Sequence, residues 1–343
     1  MASSTSALGA SVGSILVTGG AGYIGSHVAK ALDLLGRDLV IYDNLSTGHR
    51  GAARWGRLVV DDVHNVARLR EVIREHRVTA VLHFAASLLV GESVKDPIGY
   101  YANNVGGTTA LLQAMAAESV SRFVFSSTAA VYGEPKTAPI TEDQPVHPIN
   151  AYGETKLAVE RALPHFERAY GIRFVALRYF NAAGADPDGD LGEEHRTEVH
   201  LIPRAIEAAL GGPPLHVFGT DYDTPDGTCL RDYIHVTDLA DAHLRALARL
   251  EHGGASDVFN LGTGKPFSVD EVIRAVERAS GRRVPAVRSP RREGDPAVLF
   301  GSSERSRREL GWVPRYVHLD DMVGTAWAWR QAHPHGYEDG AGQ

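Results

Sequence analysis

Tyr152 and Lys156 lie four residues apart in Asn150-Ala151-Tyr152-Gly153-Glu154-Thr155-Lys156, so a helix through this segment carries both on one face. A phenol with a pKa near ~10 is a poor base at neutral pH. A neighbouring ammonium favours the phenolate, and a bound cation beside the ring adds to that effect. The pair therefore predicts a general base whose pKa falls toward the working range, although a Tyr-x-x-x-Lys spacing also arises by chance. Thr128 follows Phe123-Val124-Phe125-Ser126-Ser127. Its hydroxyl either serves Tyr152, by relaying a proton or holding a substrate oxygen, or caps the strand before it; spacing alone leaves both open.

A second group lies near the start of the chain, where Ile15-Leu16-Val17-Thr18 runs into Gly19-Gly20-Ala21-Gly22-Tyr23-Ile24-Gly25. Glycines at 19, 22 and 25 suit a tight turn, a close backbone approach to a pyrophosphate, and a helix N-terminus facing negative charge. Alone, the pattern is also an ordinary glycine-rich turn. Asp43 closes the run Asp38-Leu39-Val40-Ile41-Tyr42-Asp43 about 20 residues further on, where a carboxylate accepts hydrogen bonds from ribose and repels a 2′-phosphate. Strand, turn, helix and acid together predict a dinucleotide site that takes NAD rather than NADP. A nicotinamide cation there joins Lys156 in favouring the Tyr152 phenolate.

These groups need a scaffold, and the apolar runs supply one. Ile15–Thr18, Leu39–Tyr42, Ala80–Phe84, Arg122–Phe125, Phe174–Leu177 and Val258–Leu261 read as buried parallel strands. Val28, Leu32 and Leu35 recur at i, i+4 and i+7, as a helix packed on a sheet requires. The alternation predicts an α/β fold, a Rossmann-type doubly wound parallel sheet with a smaller mixed α/β C-terminal substrate domain. The NAD-binding domain is expected over 14–181, with a return around 235–262. Residues 182–234 and 263–337 then form the substrate domain, and 1–13 and 338–343 are flexible tails.

Composition narrows the function further. The 343 residues carry 35 basic and 42 acidic side chains, a formal charge of −7, with 22 % charged and 43 % hydrophobic residues. That balance suits a globular chain and offers no field for nucleic acid or an acidic membrane surface. Cys229 is the single cysteine, which excludes an intramolecular disulfide, fits a reducing compartment, and reads as a packed small hydrophobe. Met1–Ser14 lacks the basic and apolar segments of a signal peptide, and no stretch reaches a membrane span, so a soluble cytoplasmic protein is expected. No Cys–His ligand cluster supports a metal. His333 and His335 read as solvated, and His83 as a satisfied core histidine.

On these motifs the sequence resembles the extended short-chain dehydrogenase/reductases and, within them, the UDP-glucose 4-epimerase family. The likeness runs from Ile15 to about Tyr337 and includes Gly19–His27, Val90-Gly-Glu-Ser-Val94, Tyr152–Lys156, Arg178–Gly184 and Arg291–Asp295. Its most specific part is Asp221-Tyr-Asp-Thr-Pro-Asp-Gly-Thr-Cys-Leu-Arg-Asp-Tyr-Ile-His-Val236. The resemblance implies NAD held by Gly19, Gly22, Tyr23, Ile24, Gly25, Asp43, Asn44, Asp62, Val63, Phe84, Ala85, Asn103, Ser126 and Phe180, together with Tyr152 and Lys156. It implies a substrate site of Thr128, Tyr179, Asn181, His200, Leu201, Phe218, Arg231, Arg292, Asp295 and Val298. Tyr179 and Asn181 would line the sugar, Phe218 the uracil and Asp295 the uridine ribose. Arg231 and Arg292 would meet the diphosphate, which planar bidentate donors suit. A homodimer is implied as well.

Three positions depart from the family pattern. Leu88 stands where some members carry a lysine near the NAD phosphates. His200 replaces an asparagine, which puts one diphosphate contact in doubt. The segment around Val298 is one residue shorter than in forms with a bulky tyrosine, which extends the expected substrates to N-acetylated UDP-hexoses if Val298 lines the sugar pocket. The expected reaction is reversible epimerisation of UDP-glucose and UDP-galactose at C4 through a 4-keto sugar, with Tyr152 as base and no net redox change. The alternatives are an epimerase of another UDP-sugar, such as a uronic acid or pentose, a 4,6-dehydratase, and a non-catalytic NAD-sensing protein. A dehydratase needs an acid–base pair after Thr128, where Ala129 and Ala130 stand; a sensor gives no reason to keep Tyr152, Lys156 and Thr128 together.

Overall fold

The computed structural model describes residues 13–292 and 296–337. Continuous apolar runs suit strands covered on both faces. They form β1 (Ser14–Thr18), β2 (Leu39–Asp43), β4 (Val78–His83), β5 (Arg122–Ser126) and β6 (Arg173–Tyr179), with β3 (Arg57–Val60) following β2 along the chain. After β7 (Asn181–Ala183), β8 (Leu215–Phe218) and β9 (Leu230–His235), the chain returns as β10 (Asp257–Leu261). Seven of these strands make a parallel sheet ordered β10-β6-β5-β4-β1-β2-β3. All six expected runs are present. Sequence reading passed over β3, whose short edge run opens on an arginine and stays partly exposed. The strand order reverses between β4 and β1, which leaves a crevice beyond their carboxyl ends where ligands bind in such sheets.

Helices α1 (Tyr23–Leu34), α2 (Val66–Glu75), α3 (Val90–Lys95), α4 (Pro97–Tyr100), α5 (Gly107–Ala117), α6 (Ala151–Tyr170), α7 (Leu201–Ala209) and α8 (Val236–Glu251) follow in chain order. Alternation along β1 builds two cores, one on each face of the sheet. Ile15 and Val17 join Val28 and Leu32 of α1 and Leu239 and Leu247 of α8. Leu16 joins Leu69 of α2, Leu111 of α5 and Leu163 of α6 on the opposite face. Leu35 departs from the expected helical stripe: α1 ends at Leu34 and the chain turns at Gly36, so Leu35 is half exposed.

The remaining elements are β11 (Pro266–Ser268), α9 (Val269–Ser280), β12 (Ala286–Ser289), β13 (Val298–Leu299), α10 (Glu304–Leu310) and α11 (Leu319–Ala332). They complete two small sheets, β11-β9-β13 with β7 beside β9, and the pair β8–β12. A third core joins Ile202 and Ile206 of α7, Val272 and Val276 of α9, and Met322 and Val323 of α11; Cys229 is buried in it. Leu310 and Trp312 fall in the 263–337 stretch assigned to the substrate domain, yet they pack into the first core. There the Trp312 indole N–H donates to the Asp238 carbonyl at 2.9 Å, a long-range contact that a short run cannot announce in sequence. Within the described residues no helix is long and apolar enough to cross a membrane. Tail residues 1–12 and 338–343 lie outside the described residues.

Candidate active site

The glycine loop joins β1 to α1 under tight steric limits. Gly19 has φ +73°, and a Cβ there would meet the Ala85 nitrogen at 2.5 Å. A Cβ on Gly25 would sit 2.3 Å from the Gly19 carbonyl oxygen, so the helix start can close on the loop only without a side chain. A Cβ on Gly22 meets only the Gly19 carbonyl oxygen at 3.3 Å and is otherwise in open space. Gly22 caps α1 with no side-chain hydrogen bond, and the first helical turn holds no acid. Uncapped N–H groups beside a side-chain-free approach fit a diphosphate. The Tyr23 phenol donates to the Gly184 carbonyl at 2.6 Å, tying the start of α1 to the segment after β7.

The groups expected around the nucleoside meet one another at the ends of β2, β3 and β4. Asp43 is buried and accepts from Ala21 N at 3.0 Å and Leu45 N at 2.8 Å, tying its strand to the glycine loop. Burial raises its pKa, against those two N–H groups. Asn44 Nδ2 donates to Asp62 Oδ2 at 2.9 Å. Burial pushes Asp62 up, but hydrogen bonds from the His64 N–H, the His64 ring and Asn44 hold it below the ordinary carboxylate range. Val63 is buried, and Phe84 lies with its ring 4.7 Å from that of His243. Asn103 Nδ2 donates to Ser87 Oγ at 3.1 Å. His83 bonds Thr18 Oγ1 at 2.6 Å and Thr108 Oγ1 at 2.8 Å, the satisfied core histidine expected of it.

The Asn150 side chain caps α6 by accepting from Gly153 N, which fixes the first turn that carries Tyr152 and Lys156. The Thr128 hydroxyl does both things its position allowed. It accepts from Ala130 N at 3.1 Å and is hydrogen-bonded to the Tyr152 phenol. In the chain alone burial raises the Tyr152 pKa, with the Thr128 hydroxyl pulling against it. The expected fall therefore needs positive charge from a bound ligand. Lys156 Nζ donates to the Ser126 carbonyl at 3.0 Å and lies 5.0 Å from the centre of the Phe125 ring. Tyr179 shares a short hydrogen bond with Ser126 Oγ, so Ser126 links both residues.

Burial lowers Lys156 from its ordinary 10.5 to about 7, against the pull of Glu160. Between those two values the unfolded chain binds more protons than the folded one, so this group's contribution to stability improves as pH rises and its penalty is full below pH 7. Lys156→Met in cofactor-free protein is expected to be more stable than wild type below pH 7, with the advantage fading toward pH 10.5. Urea unfolding across that range measures it; an advantage that grows with pH contradicts the lowered pKa.

The remaining groups lie on and around β7, β8, β9, β13 and α7. Phe218 ends β8, and the Arg292 guanidinium lies 3.9 Å from its ring centre. Arg231 and Val298 sit on the paired strands β9 and β13, where Leu299 is the partner of Arg231. Asn181 Nδ2 donates to the Asp232 carbonyl at 2.9 Å. Leu201 opens α7, and His200 directs Nδ1 to Glu193 at 2.8 Å and Glu198 at 3.1 Å. Burial opposes charge on that ring, but the two carboxylates carry its pKa up to about 10. Phe180 packs so closely on Gly301 that a Cβ there would meet its ring at 2.2 Å. Leu88 is partly exposed. Asp295 lies outside the described residues.

Three supporting groups escaped the sequence reading. Glu160 on α6 receives Arg178 Nε at 3.0 and 3.2 Å and also the Ser127 hydroxyl, bracing the segment that carries Ser126 and Thr128. Asp232 accepts from Thr263 N at 2.9 Å, Thr263 Oγ1 at 2.6 Å and Gly301 N at 3.3 Å, which fixes the turn facing Phe180. Burial raises Asp232 to about 6 against those bonds. Glu193 and Glu198 were missed because charged loop residues carry no periodicity.

Residues 15–262 match the NAD dependent epimerase/dehydratase family. A UDP-glucose 4-epimerase from Halalkalibacterium halodurans is 52 % identical over 324 residues, which cover 94 % of this chain and 97 % of that one. The crystal structure of UDP-glucose 4-epimerase from Brucella ovis in complex with NAD is 50 % identical, with a TM-score of 0.91 over 92 % of this chain and 98 % of that chain. A UDP-glucose-4-epimerase from Stenotrophomonas maltophila, solved with bound NAD and formylated UDP-arabinopyranose, is 41 % identical, with a TM-score of 0.90 over 94 % and 99 % of the two chains.

Proposed function

Because the chain belongs to the NAD dependent epimerase/dehydratase family, we propose that it is a UDP-glucose 4-epimerase built on the residues assembled above. It is an isomerase that interconverts UDP-glucose and UDP-galactose at C4, with NAD as its cofactor. The observation that carries the catalytic assignment is Tyr152 hydrogen-bonded to Thr128, with Lys156 anchored on Ser126 one turn away. Ala129 and Ala130 follow Thr128 in a short 3₁₀ turn, so the acid–base pair that a dehydratase requires is missing there.

When bound, NAD⁺ supplies the two-electron oxidant that lets C4 pass through a ketone and return. The glycine loop and the first turn of α1 hold its diphosphate, with Asp43 at the adenosine ribose and Asn44, Asp62 and Val63 nearby. Phe84, Ala85, Asn103, Ser126 and Phe180 line the rest of that groove. Tyr152 takes the proton of the sugar 4-hydroxyl and later gives it back, with Thr128 steering the hydroxyl and Lys156 supplying charge from behind. Phe218, backed by Arg292, faces the uracil, and Arg231 faces the diphosphate. Leu201, which opens α7 beside His200, adds a backbone donor there. Tyr179, Asn181 and Val298 border the sugar.

We also place the enzyme in the cytoplasm as a homodimer. A single buried cysteine suits a reducing compartment. The exposed apolar residues Val90, Val94, Ile98 and Tyr101, gathered along α3, α4 and the turn after them, suit a surface between two copies. Purified protein incubated with UDP-galactose and no added cofactor is expected to form UDP-glucose. A 4-keto-6-deoxy product, or turnover of UDP-N-acetylglucosamine alone, overturns the substrate assignment.

A further inference from the structure

The loop from Gly184 to His200, between β7 and α7, has no regular secondary structure. Its first half is pinned by a protein cation. Lys30 Nζ reaches Asp186 at 2.6 Å, Asp188 at 3.0 Å and Asp190 at 2.9 Å, so an ammonium already sits among those three carboxylates. The second half gathers Glu193, His195, Glu198 and His200, and among the described residues no lysine or arginine bridges them. Instead two imidazoles face two carboxylates.

Those four groups meet through hydrogen-bonded ion pairs whose spacing also suits a coordination shell. His200 Nδ1 lies 2.8 Å from Glu193 Oε1 and 3.1 Å from Glu198 Oε1. His195 Nδ1 lies 3.1 Å from Glu198 Oε2 and 3.6 Å from Glu193 Oε1. One ligand atom from each residue falls within 4.8 Å of all the others. A tetrahedral ion with bonds of about 2.0 Å has ligand–ligand edges of about 3.3 Å, so the observed separations bracket that edge. The side chains of Glu193, His195 and Glu198 are only 7 %, 16 % and 16 % exposed and that of His200 36 %, so three of the four groups are built into the loop and the fourth closes it from the solvent side.

We propose that Glu193, His195, Glu198 and His200 form a structural metal site for Zn²⁺. Once the ion displaces the proton that the carboxylates hold on His200, two neutral imidazoles and two carboxylates match its donor preferences and net charge, whereas Mg²⁺ favours an octahedral shell of oxygens. Four protein ligands close the shell and leave no position for a reacting water, so the ion staples the loop to the start of α7 and takes no part in the chemistry. The contact with α7 comes through His200, which caps that helix.

The test uses the full chain with its cofactor, stripped by a chelator and then titrated with Zn²⁺, and separately with Co²⁺ and Mg²⁺. One equivalent of Zn²⁺ per chain is expected, with a higher melting temperature. Co²⁺ is expected to show the intense visible absorption of a tetrahedral ion, and Mg²⁺ to leave the melting temperature unchanged. His195→Ala removes a ligand, and Glu198→Gln removes a charge while keeping an acceptor for the N–H groups of Val199 and His200. Either variant should weaken Zn²⁺ by more than the roughly 10–100-fold typical of outer-shell changes. Less than one equivalent bound, an octahedral Co²⁺ spectrum, or unchanged affinity in both variants overturns the site.

Discussion

Replacing Tyr152 with Phe lowers turnover of UDP-galactose by about 10²–10⁴-fold, the range that a positioned proton-transfer group contributes, while NAD stays bound. The size of the effect follows from the surroundings of the phenol. Burial raises the Tyr152 pKa, and the Thr128 hydroxyl opposes that rise. Lys156 is held near pH 7 by its own burial and donates to the Ser126 carbonyl, so its charge is shared with the strand behind it. Phenylalanine keeps the ring and its packing but has no oxygen to exchange a proton with the sugar hydroxyl. Apart from Tyr152 itself and Lys156, the groups expected to bind NAD and UDP lie on other elements, so cofactor content and KM should change little while kcat falls. The variant should also lose the rise of kcat with pH that deprotonation of a phenol gives. Near-normal turnover in Tyr152→Phe removes this residue as the base.

The second large effect falls on stability. Glu160→Ala leaves the Arg178 guanidinium buried, with Tyr132 Oη at 2.8 Å as its remaining side-chain partner in the cluster. The two side chains of the pair are only 8 % and 5 % exposed, and breaking such a pair costs about 3–5 kcal/mol because an uncompensated charge stays behind. Burial opposes the Arg178 charge, but the carboxylate of Glu160 outweighs it and holds the guanidinium above its ordinary pKa. Urea denaturation of cofactor-loaded protein reads the loss as a lower midpoint. The double variant Glu160→Leu with Arg178→Met should recover most of it, since an apolar pair of similar volume carries no desolvation penalty. A loss below about 1 kcal/mol for Glu160→Ala places the pair among weak surface bridges and contradicts this account.

The groups legible in sequence are those whose partners lie on one local element. The glycine loop, the acid at the end of β2 and the Tyr–Lys spacing each map onto a single turn, strand end or helix face, and their spacing survives folding unchanged. The six long apolar runs were legible because strands buried on both faces admit few polar residues. β3 was not, since an edge strand tolerates exposure and Arg57 hides its start. The stacking of Arg292 on Phe218 depends on β8 and β12 pairing across a long stretch of chain, which no local pattern announces. Asp232 stood in plain view between Arg231 and Tyr233, but its bonds to Thr263 and Gly301 exist only once three loops converge. The spacing of Glu193, His195, Glu198 and His200 is visible in sequence as well, but without a cysteine it matches no Cys–His ligand pattern.

UDP-galactose carrying deuterium at C4, incubated with the purified enzyme and followed by NMR, tests the central claim most directly. The account predicts UDP-glucose with the deuterium still at C4, because that hydrogen returns to the carbon it left while Tyr152 exchanges only the hydroxyl proton. Loss of the deuterium to solvent, or no UDP-glucose even after NAD is supplied, contradicts it.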